Sequence, residues 1–267
     1  MEIKATSKKD STNGGNVVVA GNNIEFTQMS KENHSVGWKK LKNNIYVNLE
    51  TGEYVKKEQS IFNKFKNCNL KSIKQSIKYI RRVINCNFFG ELDERFITLT
   101  YADNMQDCKV LYKDFERFIK KVKYFLNDNN LKYINIVEPQ GRGAWHCHIL
   151  LKSKNIALLS NKKVFELWSK GITYQSGLEN ISNVGAYLSA YLTNTKDKKG
   201  ARLYMYKQNM KIMRCSRNCI KPVKLKMGFY EFHKKFKNLK LNFVNSYDLV
   251  ANDKVINSIC YKHYEVI

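Results

Sequence analysis

Residues 132–152 read KYINIVEPQGRGAWHCHILLK. Two runs rich in apolar residues flank Pro139 and the turn Gln140-Gly141-Arg142-Gly143. β-Branched and aromatic residues favour strands, Gly and Pro punctuate them, and two such runs joined by a tight turn form an antiparallel hairpin. In a strand, residues i and i+2 point to the same side. His146 and His148 therefore aim at one point, while Cys147 turns the other way, toward the core. The hairpin brings Glu138, which closes the first strand, back beside the two histidines. Two imidazoles and one carboxylate suit a divalent cation with open coordination positions, Mn2+ or Mg2+ first and Zn2+ less well. The plainer alternative is a pair of surface histidines on a polar strand face.

Working outward, RFITLTY (95–101) is strand-like. YKDFERFIKKVKYFL (112–126) sets Phe115, Phe118, Ile119, Val122 and Leu126 on one helical face. Upstream, LKSIKQSIKYIRRVINCNF (70–88) repeats Leu70, Ile73, Ile77, Ile80 and Ile84 at steps of three and four, an amphipathic helix with a basic outer face. Downstream, KKVFELWSK reads as a short helix and GITYQSG as an extended piece. ENISNVGAYLSAYLTNT (179–195) reads as a helix capped by Ser182 or Asn183. The order strand, helix, strand, strand, helix predicts an α+β fold. Its antiparallel sheet has flanking helices, in a ferredoxin-like or RNA-recognition-like layout. NIYVNLETGEYVK (44–56) predicts a small hairpin around Thr51-Gly52. Residues 1–43 are expected to be a polar, mobile arm, 44–200 the main domain, and 201–267 a basic extension packed on it. That extension is read as short strands with one helix, YEFHKKFKNL.

The chain of 267 residues carries a net charge of +24, and 43% of it is hydrophobic, enough for a core. Such a charge concentrates polyanions, and nucleic acid is the usual partner. Abundant Lys, Asn and Ile also fit the codon bias of an A+T-rich genome, which would make part of the lysine content incidental. No apolar run is long enough for a membrane helix, and MEIKATSKKDSTNGGN has no apolar segment of the kind a signal peptide needs. Seven irregularly spaced cysteines do not make a disulfide framework, so a reduced, cytoplasmic protein is expected. Cys215 and Cys219 lack a second pair for a structural zinc site.

Tyr187 and Tyr191 lie four residues apart in the last helix, about 40° from each other around its axis. Two hydroxyls on one face could serve nucleophilic attack on a DNA phosphate, leaving a phosphotyrosine ester. A phenol is almost wholly protonated at neutral pH, so such attack gains from a metal ion polarising the phosphate. In a chain with 16 tyrosines, the plainer reading is a pair of core residues on an amphipathic helix.

Taken together, FITLTY (96–101), WHCHILL (145–151) with Glu138 eight residues before His146, and YLSAYL (187–192) resemble the three motifs of a known family. It is the HUH endonuclease superfamily, in the form of two-tyrosine rolling-circle replication initiators from plasmids and single-stranded phages. RLYMY and RCSRNCIKP are similar to the segment following the third motif in bacterial members. The resemblance spans roughly residues 45–225. It implies an endonuclease domain over 44–200, with Glu138, His146 and His148 as metal ligands and Tyr187 as first nucleophile, followed by Tyr191. It implies a 5′-phosphotyrosine link, a free 3′-OH that primes synthesis, and single-stranded or hairpin origin DNA as substrate. Two positions depart from the pattern: family lysines after each tyrosine are here Ala190 and Asn194, and Cys147 replaces a bulkier apolar residue. With no GxxxxGK[ST] loop in the sequence, no nucleotide cofactor is expected, and a helicase and polymerase would come from the host. Basic residues in KSIKQSIKYIRR and RCSRNCIKPVKLK are candidates for phosphate contacts. The competing readings are a tyrosine transposase or relaxase with the same chemistry, a non-catalytic DNA-binding autoregulator on the same scaffold, and an RNA-binding sheet.

Overall fold

The computed structural model describes residues 14–30, 38–41, 45–48, 51–56, 70–179, 181, 183–193, 202–206, 210–251 and 254–267. The chain divides into two compact units, residues 67–222 and residues 1–66 with 223–267.

The larger unit is built on β6 (Glu94–Leu99), β7 (Lys132–Pro139), β8 (Trp145–Lys152) and β9 (Thr173–Gly177), with β10 (Met213–Cys215) added at one edge. The strands lie in the order β10-β7-β8-β6-β9, and every neighbouring pair is antiparallel. With α2 (Cys108–Leu126) joining β6 to β7 and α3 (Asn161–Trp168) joining β8 to β9, this is the split βαβ arrangement of an α+β fold, as expected. The hairpin forms because Gly143 adopts φ 90° and its N–H donates to Gln140 O at 2.9 Å, while the Gln140 N–H donates to Ala144 O at 2.7 Å.

One sheet face carries Ile97, Leu99, Val137, Cys147 and Ile149, all buried, and α2 and α3 lie over this side. Trp168 of α3 meets Tyr101 and Phe118 edge-on, its indole N–H donates to Thr100 O, and Phe115 of α2 meets Tyr133. Both helices start on side-chain caps, Asp107 accepting from Lys109 N–H and Ser160 from Lys163 N–H. The opposite face buries Phe96, Ile134, Ile136 and Leu150. The same apolar cluster contains Ile73, Ile77, Ile80, Val83 and Ile84 of α1 (Leu70–Asn85) and Val184 and Leu188 of α4 (Val184–Thr193). At α4 the Asn183 side chain accepts from Ala186 N–H at 2.8 Å, one of the two caps read from sequence. Gly185 lets α4 approach α1: a Cβ there would stand 2.3 Å from Asn85 Oδ1 and 2.6 Å from Arg81 O.

The second unit is a sheet in the order β11-β1-β2-β13-β12, from β1 (Gly15–Ala20), β2 (Asn23–Met29), β11 (Val223–Met227), β12 (Leu239–Ala251) and β13 (Lys254–Val266). Phe232 of α5 (Phe229–Lys235) packs among Phe26, Phe236 and Tyr264. A small sheet of β3 (Trp38–Lys40), β4 (Ile45–Asn48) and β5 (Tyr54–Lys56) includes the hairpin expected around Gly52, which turns with φ 72°.

Two expectations are corrected here. Residues 15–29, read as part of a mobile arm, form β1 and β2, because Val17, Ile24 and Phe26 bury completely against partners more than 190 residues away in sequence. Their Gly- and Asn-rich flanks concealed a short apolar pattern that only long-range pairing stabilises. The tail read as short strands ends in two strands of 13 residues each. Correspondingly, the chain parts near residues 66 and 222 rather than at 43 and 200.

Candidate metal and nucleophile site

The β7–β8 register places Glu138 directly opposite His146, with Ile136 opposite His148. All four share one sheet face with Thr98 and Phe96 of β6. His148 Nε2 lies 2.6 Å from Glu138 Oε2, and the two side chains are only 11% and 13% exposed. On its other nitrogen, His148 Nδ1 lies 3.1 Å from Thr98 Oγ1. The imidazole also stacks on the Phe96 ring, with centroids 5.7 Å apart and planes 12° from parallel. Its orientation is therefore fixed by a hydroxyl, a carboxylate and an aromatic face together. The His146 ring stands 6.2 Å from that of His148, nearly perpendicular to it.

The donor set fits a divalent cation: two imidazoles and a carboxylate on one face, with a hydroxyl holding the far nitrogen of one ring, the arrangement that orients metal-bound histidines. The three ligand atoms are not drawn to within 4.8 Å of one another. Among the described residues the one such group is Glu91, Asp93 and Glu94. That group has another task. Glu94 is fully buried, its carboxylate accepts from the N–H groups of Phe89, Gly90 and Glu91, and the Lys152 ammonium bonds to Glu91 and Glu94 with Asp93 at 3.6 Å. It is a neutralised structural knot between the turn before β6 and the end of β8.

Cys147 faces the helix-covered side. Burial pushes its thiol up to about 12, so it stays protonated and takes no part in ligation. Asn135 lies on that side too, fully buried, and so does not face the histidines. Gln140 accepts from Arg142 Nε at 3.1 Å, and Arg142 also reaches Tyr101 O at 3.4 Å, which places a cation at the hairpin tip next to Glu138 in sequence.

Tyr187 lies in the first turn of α4, 40% exposed. The placement of Tyr191 is limited to its position within α4, because its side chain lies outside the described residues, as do those of Ala190 and Asn194. Three supporting residues escaped the sequence reading in this role: Thr98, Phe96 and Tyr206. The Tyr206 hydroxyl is buried and donates to Val137 O at 2.9 Å. Burial first, then the nearby charge of Glu138, holds its phenol above the usual tyrosine range. Thr98 and Phe96 sit within the strand FITLTY, and their parity with His148 becomes visible only once β6 is known to pair with β8.

Residues 94–196 match the family model of a viral-type replication-associated protein, ORF2. The matched stretch runs from the start of β6 past the end of α4, and contains Glu138, His146, His148, Tyr187 and Tyr191. Among solved structures, the chain is weakly similar to the nuclease domain of non-structural protein 1 of minute virus of mice. Identity is 14% over 78% of this chain and 73% of that one, with a TM-score of 0.20. That domain is described as having Zn2+ coordination in its active-site pocket and recognising DNA at the origin of replication. No curated protein matches. Among the described residues, no helix is long and apolar enough to cross a membrane.

Proposed function

We propose that the chain is a metal-dependent single-stranded DNA nicking and joining endonuclease that initiates rolling-circle replication, with single-stranded or hairpin origin DNA as substrate. The observation that carries this reading is the Glu138–His148 pair on one sheet face, with His146 in register, inside a segment that matches a replication-associated family. In this reading Glu138, His146 and His148 hold Mn2+ or Mg2+, and the ion supplies Lewis-acid polarisation of the scissile phosphate when bound. Thr98 and Phe96 keep the His148 ring in its ligating orientation. Glu138 exchanges its hydrogen bond with His148 for ligation. Tyr187 on α4 attacks phosphorus: a Tyr Oη–P bond forms and the bond from phosphorus to the 3′ oxygen breaks. The phenolic proton is lost to solvent, and the leaving oxygen gains one as a 3′-OH. Tyr191, one turn on, would accept a strand in the reverse joining step. Gly185, by seating α4 tightly on α1, fixes the helix that carries both. Helicase and polymerase would be recruited from the host.

The test is adduct formation. Purified protein is incubated with single-stranded fragments tiled across its own replicon and Mn2+, and resolved on a denaturing gel. A metal-dependent covalent protein–DNA band, lost on Tyr187→Phe with Tyr191→Phe, supports the reading. Binding without any adduct favours the non-catalytic DNA-binding alternative, to which Ala190 and Asn194 in place of lysine already point.

A further inference from the structure

The larger unit has an open cleft on its helical side, the side away from Glu138, His146 and His148. About 580 Å3 in volume, it lies between the end of α2 and the start of α3 and is lined by Lys121, Tyr124, Phe125, Asn127, Lys163 and Leu167. Tyr124 is 91% exposed, the most exposed aromatic side chain among the described residues. A ring so placed, at the mouth of a concave site and with no packing duty, is available to a planar ligand. The cations around it are arranged rather than scattered. Lys121 Nζ donates to Leu167 O at 3.2 Å, and Lys163 Nζ stands 4.9 Å over the Phe125 ring while meeting Glu166 at 3.0 Å. Arg117, Lys120, Lys121 and Tyr124 follow one stripe of α2 at helical spacing, and Lys123 and Lys162 flank it. The acidic residues of α2 are engaged elsewhere: Glu116 with Arg214, and buried Asp114 with Tyr101 and Lys170. Apart from Glu166, the cleft thus presents cations and an exposed ring.

We propose that this cleft is a second contact for single-stranded nucleic acid, in which a base stacks on Tyr124 and the neighbouring phosphates meet Lys121, Lys163 and the α2 stripe. A platform of aromatic rings beside a cationic track is how single strands are held without sequence readout. An acidic polypeptide would satisfy the lysines but leaves the exposed ring without a role, so the nucleic acid is the better fit. The cleft extends the functional proposal, since a strand engaged at the histidine face would continue onto the helical face.

The test is fluorescence anisotropy of a labelled 20-nucleotide oligothymidine with the full chain in EDTA, where no cleavage occurs, so failure of the nicking assay leaves this result unaffected. Tyr124→Ala should weaken binding about tenfold, and Tyr124→Trp should restore it. Lys121→Gln with Lys163→Gln should flatten the dependence of log affinity on log salt by about 1.4. Because Tyr124 is exposed, the alanine variant should unfold at the wild-type temperature, which separates a binding loss from a folding loss. Wild-type affinity in Tyr124→Ala, an unchanged salt slope in the double lysine variant, or displacement of the oligonucleotide by polyglutamate equally from wild type and Tyr124→Ala would overturn the proposal.

Discussion

Thr98→Val isolates the part played by the shell behind the metal ligands. The substitution keeps the side-chain shape and the β-branching that suits a strand, and removes only the hydroxyl 3.1 Å from His148 Nδ1. In the wild type that hydroxyl, the Glu138 carboxylate at 2.6 Å and the stacked Phe96 ring together hold the imidazole. Valine leaves two of the three. Loss of an outer hydrogen-bond partner of a metal-bound histidine typically costs ten- to a hundredfold in metal affinity, about 1.4–2.8 kcal/mol. Because Phe96 and Glu138 still constrain the ring, the lower end is expected, about tenfold. Isothermal titration with Mn2+ reads this directly, and the midpoint of adduct formation against Mn2+ concentration should shift by the same factor, with the plateau recovered at high metal. Unchanged Mn2+ affinity and an unchanged midpoint would refute the reasoning, since His148 would then not ligate through Nε2 with Thr98 behind it.

Four further outcomes follow from the geometry. Gly185→Ala places a Cβ 2.3 Å from Asn85 Oδ1, so α4 must shift away from α1; stability should fall by about 1–3 kcal/mol and adduct yield with it, checked by urea unfolding and the gel assay. Tyr187→Phe alone should abolish the initiating adduct, whereas survival of the adduct there and its loss in Tyr191→Phe would reverse the assignment. Lys152→Met leaves buried Glu94 without its cation and should destabilise the domain by roughly 2–3 kcal/mol. Burial pulls the Lys152 ammonium down, but hydrogen bonds to Glu91 and Glu94 and the charges of Glu94 and Asp93 more than offset it and leave it above the usual lysine range. Its contribution should therefore be complete below about pH 10 and lost as pH climbs through the folded value, which a pH series of wild type and variant would show. Cys147, 1% exposed and with its thiol raised to about 12 by burial, should resist iodoacetamide in the native protein while Cys260 reacts, as peptide mapping would reveal.

Local pattern carried much of this molecule. The hairpin of β7 and β8 could be read from two apolar runs around Gly143, and period two within it was enough to put His146 and His148 on one side. The helices α1, α2 and α4 announced themselves through apolar spacing and caps such as Asn183. What local pattern could not reveal was pairing across long sequence distance. β1 and β2 join strands from the last 45 residues, so Val17 and Phe26 have no core until those strands arrive. Thr98 is an ordinary β-branched residue in RFITLTY until the β6–β8 register sets it beside His148. Tyr206 reaches Val137 O from 69 residues away, a contact that no spacing rule foretells. The knot of Lys152 with Glu91, Asp93 and Glu94 likewise required two ends of the sheet to meet.

The most direct measurement of the central proposal is the covalent adduct itself, sought with the protein, Mn2+ and tiled single-stranded fragments of its replicon. The account predicts one fragment that yields a denaturant-resistant protein–DNA band, absent in EDTA, in His148→Ala, and in the double Tyr187→Phe, Tyr191→Phe variant. A protein that binds these fragments and binds Mn2+ but never forms the band, or forms it equally without both tyrosines, would contradict it.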